Sequence, residues 1–377
     1  MIIALMMGLG LPFLQVVPDT KDTLLHYTAT PLGRVPLTGD ELRLTGLNDK
    51  GQIVGCTGQS IGGHAAGISH GFVWYRGKFT PLRTLTGKQT YPFAINNRGD
   101  VVGWAESGTR TGYEFHDIKT VSLPVLWRLG DLPDLPLGDL PWLLSTESGR
   151  ALGVNDTHEV VGKINGAVFL KEGNNQALES GNSEAVAINN RGEIIGNLMT
   201  VGPNSSLTSG ENRGQYNPFR YAEGKLQWLN LGTAISGKCS AINDSGDIVG
   251  FIDLSDRQRH ACLWRNGVLQ DLGTLGGNSS GAVGVNEKGD IVGWSEDKQG
   301  RSRACLWHDG TVVDLNLLIV RFKQADLVSA KAINNLGQIL TLRYSTNLRR
   351  KRDDGFLLTP VPVSQRMNRL KRSSKVQ

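Results

Sequence analysis

The residues able to do chemistry in this chain recur inside one phrase. "NDSGDIVG" (Asn243–Gly250) superficially resembles a calcium loop. Such a loop needs oxygen ligands at alternate positions, a central Gly and a distant Glu. Here Asp247 is replaced by Gln52 and Gln338 in other copies, and no late Glu follows. The phrase therefore reads as a polar hairpin turn, and no metal or cofactor is expected. An Asp-box hairpin is also discounted, because the aromatic it needs after the Gly is missing.

The remaining reactive side chains are scattered. The chain lacks HExxH and P-loop motifs. Among the histidines, His70 and His260 share one repeat position and read as hydrogen-bonding a neighbouring turn. A glycosidase would need two acids at a set separation, but Glu106, Glu114, Asp117, Glu211 and Asp253 all lie in connections and single out no pair. No catalytic residue is nominated. Cys56, Cys239, Cys262 and Cys305 form no CxxC pair. Cys262 and Cys305 recur in "HACLW" and "RACLW", a pattern of small core side chains.

The phrase positions these residues through its repetition. Seven copies align on Asn48, Asn96, Asn155, Asn189, Asn243, Asn286 and Asn334, with spacings of 48, 59, 34, 54, 43 and 48. That is the length of a four-stranded propeller blade. Each copy reads as four short strands: one like "LQDLG", one ending in Ile/Val/Leu-Asn, one like "DIVG" and one like "ACLW". Asn opens the turn, and Gly51, Gly99, Gly192, Gly246, Gly289 or Gly337 takes the left-handed position that makes a bulge. In the third and shortest copy His158 stands there, which suggests a cramped unit.

The expected fold is all-β, a β-propeller of seven four-stranded blades over residues 25–361, with an open solenoid as the alternative. A closed ring removes exposed sheet edges. "LHYTATPLG" near the start resembles a first strand, and "DGFLLTP" near the end a fourth, so whole units fill the chain. Trp74, Trp127, Trp264 and Trp307 recur at one place and read as packing between blades. The insertion Leu129–Leu144 is expected to cover a ring edge, with Trp142 packed beneath it.

The unit resembles the HAF-repeat family of predicted bacterial extracellular proteins. The resemblance is closest in "DLGTLGGNSSGAVGVNEKGDIVG" (Asp271–Gly293) and covers about Tyr27 to Pro360. "HGF" (His70–Phe72) and "HAC" (His260–Cys262) match the family signature loosely, and Arg303 and Asp354 replace its histidine elsewhere. The resemblance implies a secreted or envelope location and no particular activity.

The ends carry the remaining signals. Residues 1–24 include a charge-free apolar start resembling the core of a secretory signal, though without a basic beginning or a small-x-small cleavage site. Membrane attachment through this segment is the alternative. The formal net charge is +5, and Arg366, Arg369, Lys371, Arg372 and Lys375 in the last twelve residues account for that excess. Residues 362–377 therefore read as a solvated basic tail, and no nucleic-acid partner is expected.

Antiparallel alternation puts the Asn turns on one face of the ring and the variable connections on the other. Binding residues concentrate in such connections. Arg110, Tyr113, His116, Arg213 and Tyr216 are the candidates, as side chains suited to recognition. The expected function is non-enzymatic binding of a protein or glycan by a monomer. The alternatives are a carbohydrate-active hydrolase or lyase with acids converging on the axis, or a purely structural array.

Overall fold

The structure is a computed structural model that describes residues 26–35, 41–58, 69–111, 119–129, 141–170, 175–200, 215–254, 258–321, 326–343 and 354–361. The expected segments 1–24 and 362–377 lie outside them. So do Tyr113, His116 and Arg213.

Within these residues the chain is almost wholly strand, with one 3-10 turn at Leu315–Leu318. Consecutive strands pair antiparallel into four-stranded sheets. Sheet I holds Glu41–Leu47, Ile53–Gly58, His70–Tyr75 and Lys78–Pro81. Sheet II holds Thr90–Ile95, Asp100–Thr111, Lys119–Arg128 and Trp142–Leu143. Sheet III holds Arg150–Val154, Val160–Lys163, Gly166–Leu170 and Gln176–Ser180. Sheet IV holds Ser183–Ile188, Ile194–Thr200, Gln215–Ala222 and Lys225–Trp228. Sheet V holds Ser236–Ile242, Ile248–Asp253, Arg259–Arg265 and Val268–Gly273. Sheet VI holds Gly276–Val285, Ile291–Asp297, Ser302–His308 and Thr311–Asp314, and one parallel pair, Arg259 with Ser279, joins it to sheet V. Sheet VII holds Ser329–Ile333, Ile339–Arg343 and Asp354–Pro360. Its fourth strand, Tyr27–Pro31, comes from the other end of the chain, and Ile319–Arg321 pairs parallel with that strand as a fifth.

Sheet boundaries fall one strand away from the sequence unit. The "LQDLG" strand, expected to begin a unit, is the outermost strand of the preceding sheet, paired with Arg259–Arg265. Turn chemistry decides this. Asn266 and Gly267 both have positive φ, 52° and 77°, as a two-residue hairpin turn requires. Arg76–Gly77, Glu223–Gly224 and Asp309–Gly310 repeat the pattern. The same one-strand offset hands Tyr27–Pro31 to the last sheet.

The core lies between sheets. Leu42, Leu44, Phe72 and Trp74 of sheet I pack on Leu340, Leu342 and Leu357 of sheet VII. Each other adjacent pair shares its own buried cluster. The tryptophans also bond across these gaps. Nε1 of Trp74, Trp127, Trp264 and Trp307 donates to the carbonyls of Leu32, Arg83, Asn230 and Leu272, at 2.7–3.0 Å. A ring of twisted sheets with cores between neighbours is a β-propeller.

One repeated glycine has a steric cause. The inner two strands of every sheet are mismatched by one residue, as between Cys239 and Ala241. This bulge brings the inner-strand carbonyl against the glycine of "DIVG". A Cβ at Gly250 would sit 1.9 Å from the Lys238 oxygen, and one at Gly103 would sit 2.1 Å from that of Tyr91.

Trp142 differs from expectation. It is 48% exposed on the short outermost strand of sheet II, with the Arg128 guanidinium 4.3 Å from its ring centre. An outer strand has no further sheet to pack beneath.

Candidate functional sites at the two ends of the ring

The turn face is built from the repeated asparagines, and their geometry makes a closed chain. Each Asn Oδ1 accepts the backbone N–H four residues on, at 2.8–2.9 Å. The following Gly N–H returns to the Asn carbonyl, for example Gly51 to Asn48 at 3.0 Å. The amide Nδ2 then reaches the neighbouring unit. Asn48 donates to the Asn96 carbonyl, Asn96 to Asn155, Asn155 to Asn189, Asn189 to Asn243, Asn243 to Asn286, Asn286 to Asn334, and Asn334 back to Asn48, at 2.8–3.4 Å.

The second amide hydrogen explains the variable fifth position. In six units Nδ2 also meets the side-chain oxygen of Gln52, Asp100, Glu159, Glu193, Asp290 or Gln338. In the remaining unit Asp247 pairs with Arg265 instead. Any short acceptor serves, so Asp, Glu and Gln interchange there.

A second belt accompanies the first. Backbone N–H groups of Asp49, Asn97, Asp156, Asn190, Asp244, Glu287 and Asn335 each donate to the side-chain oxygen of the next member, closing at Asn335 to Asp49, over 2.7–3.0 Å. These residues ring an axial hollow of about 180 Å³. Four are carboxylates, but they are engaged. Asp156, for instance, accepts from Asn97 N, Asn97 Nδ2 and Asn190 Nδ2. Acids holding backbone amides fix turns in place. Among the described residues no three His, Cys, Asp or Glu side chains are grouped to hold a metal.

Gly51, Gly99, Gly192, Gly246, Gly289 and Gly337 have φ between 75° and 93°, and His158 takes the same conformation at 67°. His158 is held there by Asp100 at 2.5 Å and Arg98 at 2.9 Å, so the third unit keeps its turn and all four strands.

The opposite face carries a groove of about 710 Å³ over sheets II, III and the start of IV. Trp104, Ser122, Ser148, Gly149, Arg150 and Lys163 line it, with Asn165, Gly181 and Asn182. The short third unit makes this floor. Its middle strands are joined by only Ile164 and Asn165, whereas the equivalent connections in sheets II and IV are far longer. Trp104 stacks on Tyr91, with centroids 6.2 Å apart and planes 13° from parallel. Lys163 Nζ donates to the Asn182 amide oxygen at 2.8 Å, and Arg150 pairs with Glu184 at 3.0 Å.

The nominated recognition residues are not brought together by the described part. Tyr216 is half-buried in sheet IV, with the Lys238 ammonium 5.2 Å from its ring. Arg110 falls within the second strand of sheet II. The groove residues were missed because strand ends and two-residue connections look ordinary in sequence. The short 34-residue spacing was the available signal. Glu106 is buried and accepts the N–H groups of Lys88 and Gln89, and Asp253 binds Arg259. His260 meets the Asp271 carboxylate on the adjacent strand at 2.8 Å rather than a turn.

All four thiols are free and buried. Burial pushes Cys56 up to about 12, and it raises Cys239, Cys262 and Cys305 as well. A thiol held protonated is a poor nucleophile.

Together the fold and the two closed belts define the class as a β-propeller with an amide-locked axial face. Solved structures align with parts of this chain. The β-propeller domain of the trilobed protease from Pyrococcus furiosus aligns over 85% of this chain and 97% of that one, with 11% identity and a TM-score of 0.49. A TolB candidate from Agrobacterium tumefaciens aligns over 66% and 88%, at 10% identity and 0.39. A puromycin-hydrolyzing peptidase from Mycobacterium tuberculosis aligns over 80% and 49%, at 12% identity and 0.46. No family model matches the sequence, and no curated protein matches it.

Proposed function

We propose that this chain is a seven-bladed, non-enzymatic propeller of the HAF-repeat kind, secreted or held in the cell envelope, that binds a glycan or protein partner on the face of variable connections. The carrying observation is the groove over the short third unit, where an aromatic ring, two cations and short polar side chains converge. Rigid scaffolds present binding residues in this way. The axial carboxylates favour binding over hydrolase or lyase chemistry. Their oxygens hold backbone amides, whereas a glycosidase acid must be available to the substrate.

The test combines fractionation of a C-terminally tagged protein, intact-mass analysis and a glycan array. A mature form outside the cytoplasm, binding array members without cleaving them, is expected. A cytoplasmic form beginning at Met1 overturns the location, and release of product from a bound glycan overturns the non-enzymatic reading.

A further inference from the structure

The lining of the groove is chemically selective. Its described lining residues include Arg150 and Lys163 and no Asp or Glu; the adjacent Glu184 and Glu147 are held by Arg150 and Asn165. The Lys163 ammonium hydrogen-bonds a neutral amide, so that bond does not neutralise its charge. Arg150 spends one nitrogen on Glu184, and its side chain remains 42% exposed. A guanidinium offers five donors in a plane, a match for a carboxylate.

The other lining groups separate a sugar from a peptide. Among the described lining residues there is no aliphatic side chain, whereas a peptide anchors its affinity in apolar pockets. Ser122, Ser148, Asn165 and Asn182 are short donors and acceptors suited to ring hydroxyls. Trp104 is braced by Tyr91, so a sugar face can stack on the indole at little entropic cost. Gly181, at φ 72°, has open space where a Cβ would stand, which keeps the rim low. The volume of about 710 Å³ suits two or three sugar rings.

We infer that this groove is the binding site for an acidic oligosaccharide, with Lys163 and Arg150 taking a uronate carboxylate and Trp104 stacking beneath a neighbouring ring. The inference rests on the binding reading above and names its ligand class.

Trigalacturonate and its methyl ester, identical in ring and linkage but different in charge, test this by calorimetry. Wild type should bind the acid, more weakly as salt rises, and should bind the ester at least about tenfold more weakly. Lys163→Met and Trp104→Ala should each weaken binding about tenfold, while Trp228→Ala, exposed on the outer strand of sheet IV, should not. Asn165→Ala serves as a second groove variant if Trp104→Ala does not fold. Undiminished binding by the groove variants overturns the site, although the chain would still be a glycan binder. Equal binding of acid and ester overturns the acidic class. Failure to bind trigalacturonate together with other uronates overturns this inference. Failure on the whole array overturns the glycan reading with it.

Discussion

At the residue scale, the turn asparagine does two jobs that no other side chain can do together. Its carbonyl oxygen caps its own hairpin, and its amide ties that hairpin to the next. Asn189→Asp keeps the acceptor, removes both donors and sets a carboxylate against that of Glu193. It should cost roughly 2–4 kcal/mol in urea unfolding. Only a loss well below 1 kcal/mol would contradict this role. Gly250 is limited by space instead. Gly250→Ala should cost about 3 kcal/mol or more, because the colliding atom is backbone and cannot swing away. The seventh unit has Thr341 at the equivalent place, buried with its hydroxyl on the Phe356 carbonyl.

At the element scale, one strand decides whether the last sheet is complete. Tyr27–Pro31 pairs along Asp354–Pro360, and Tyr27 is fully buried among Leu306, Leu318 and Phe356. Removing residues up to Pro31 would unpair that side of both Asp354–Pro360 and Ile319–Arg321 and leave a cavity. The truncated chain should unfold at lower temperature and aggregate in light scattering. A transition and solubility equal to the intact chain would show that another element closes the sheet. Within this strand the Tyr27 hydroxyl is buried without a hydrogen-bond partner. Tyr27→Phe should therefore be neutral or stabilising by about 1 kcal/mol, which separates loss of the strand from loss of one polar atom.

At the scale of the whole molecule, charge is arranged in local pairs, and acid should expose them. Burial tends to raise the Asp297 carboxyl, but the Arg301 N–H, the Arg303 side chain, the Gln299 N–H and the Arg301 side chain outweigh it and hold the group at about 2. Glu193 is lowered too: burial opposes this, and bonds from Arg220, Asn189 and Arg191 prevail. The sign follows from a folded value below the unfolded one. The stabilisation is complete above the ordinary carboxylate range and is lost as pH falls towards about 2. Urea midpoints should hold between pH 7 and 5 and then drop between about 4 and 2. Asp297→Asn should shallow that drop, and an unchanged slope would assign it to other acids.

The sequence determined the all-β class, because strand length, turn chemistry and repeat spacing are local properties written in neighbouring residues. The 34-residue spacing even marked the unit that forms the groove floor. Other features needed the third dimension. Sheet boundaries moved by one strand because hydrogen bonding follows the tight Asn266–Gly267 turn rather than the phase of the repeat. The asparagines look like simple turn openers, since their bonds to the next unit span 34 to 59 residues and close over 286. The groove is likewise a product of folding. Trp104, Lys163 and Asn182 are ordinary strand-end and connection residues until ring closure stands three sheets side by side and leaves the shortest of them low between its neighbours.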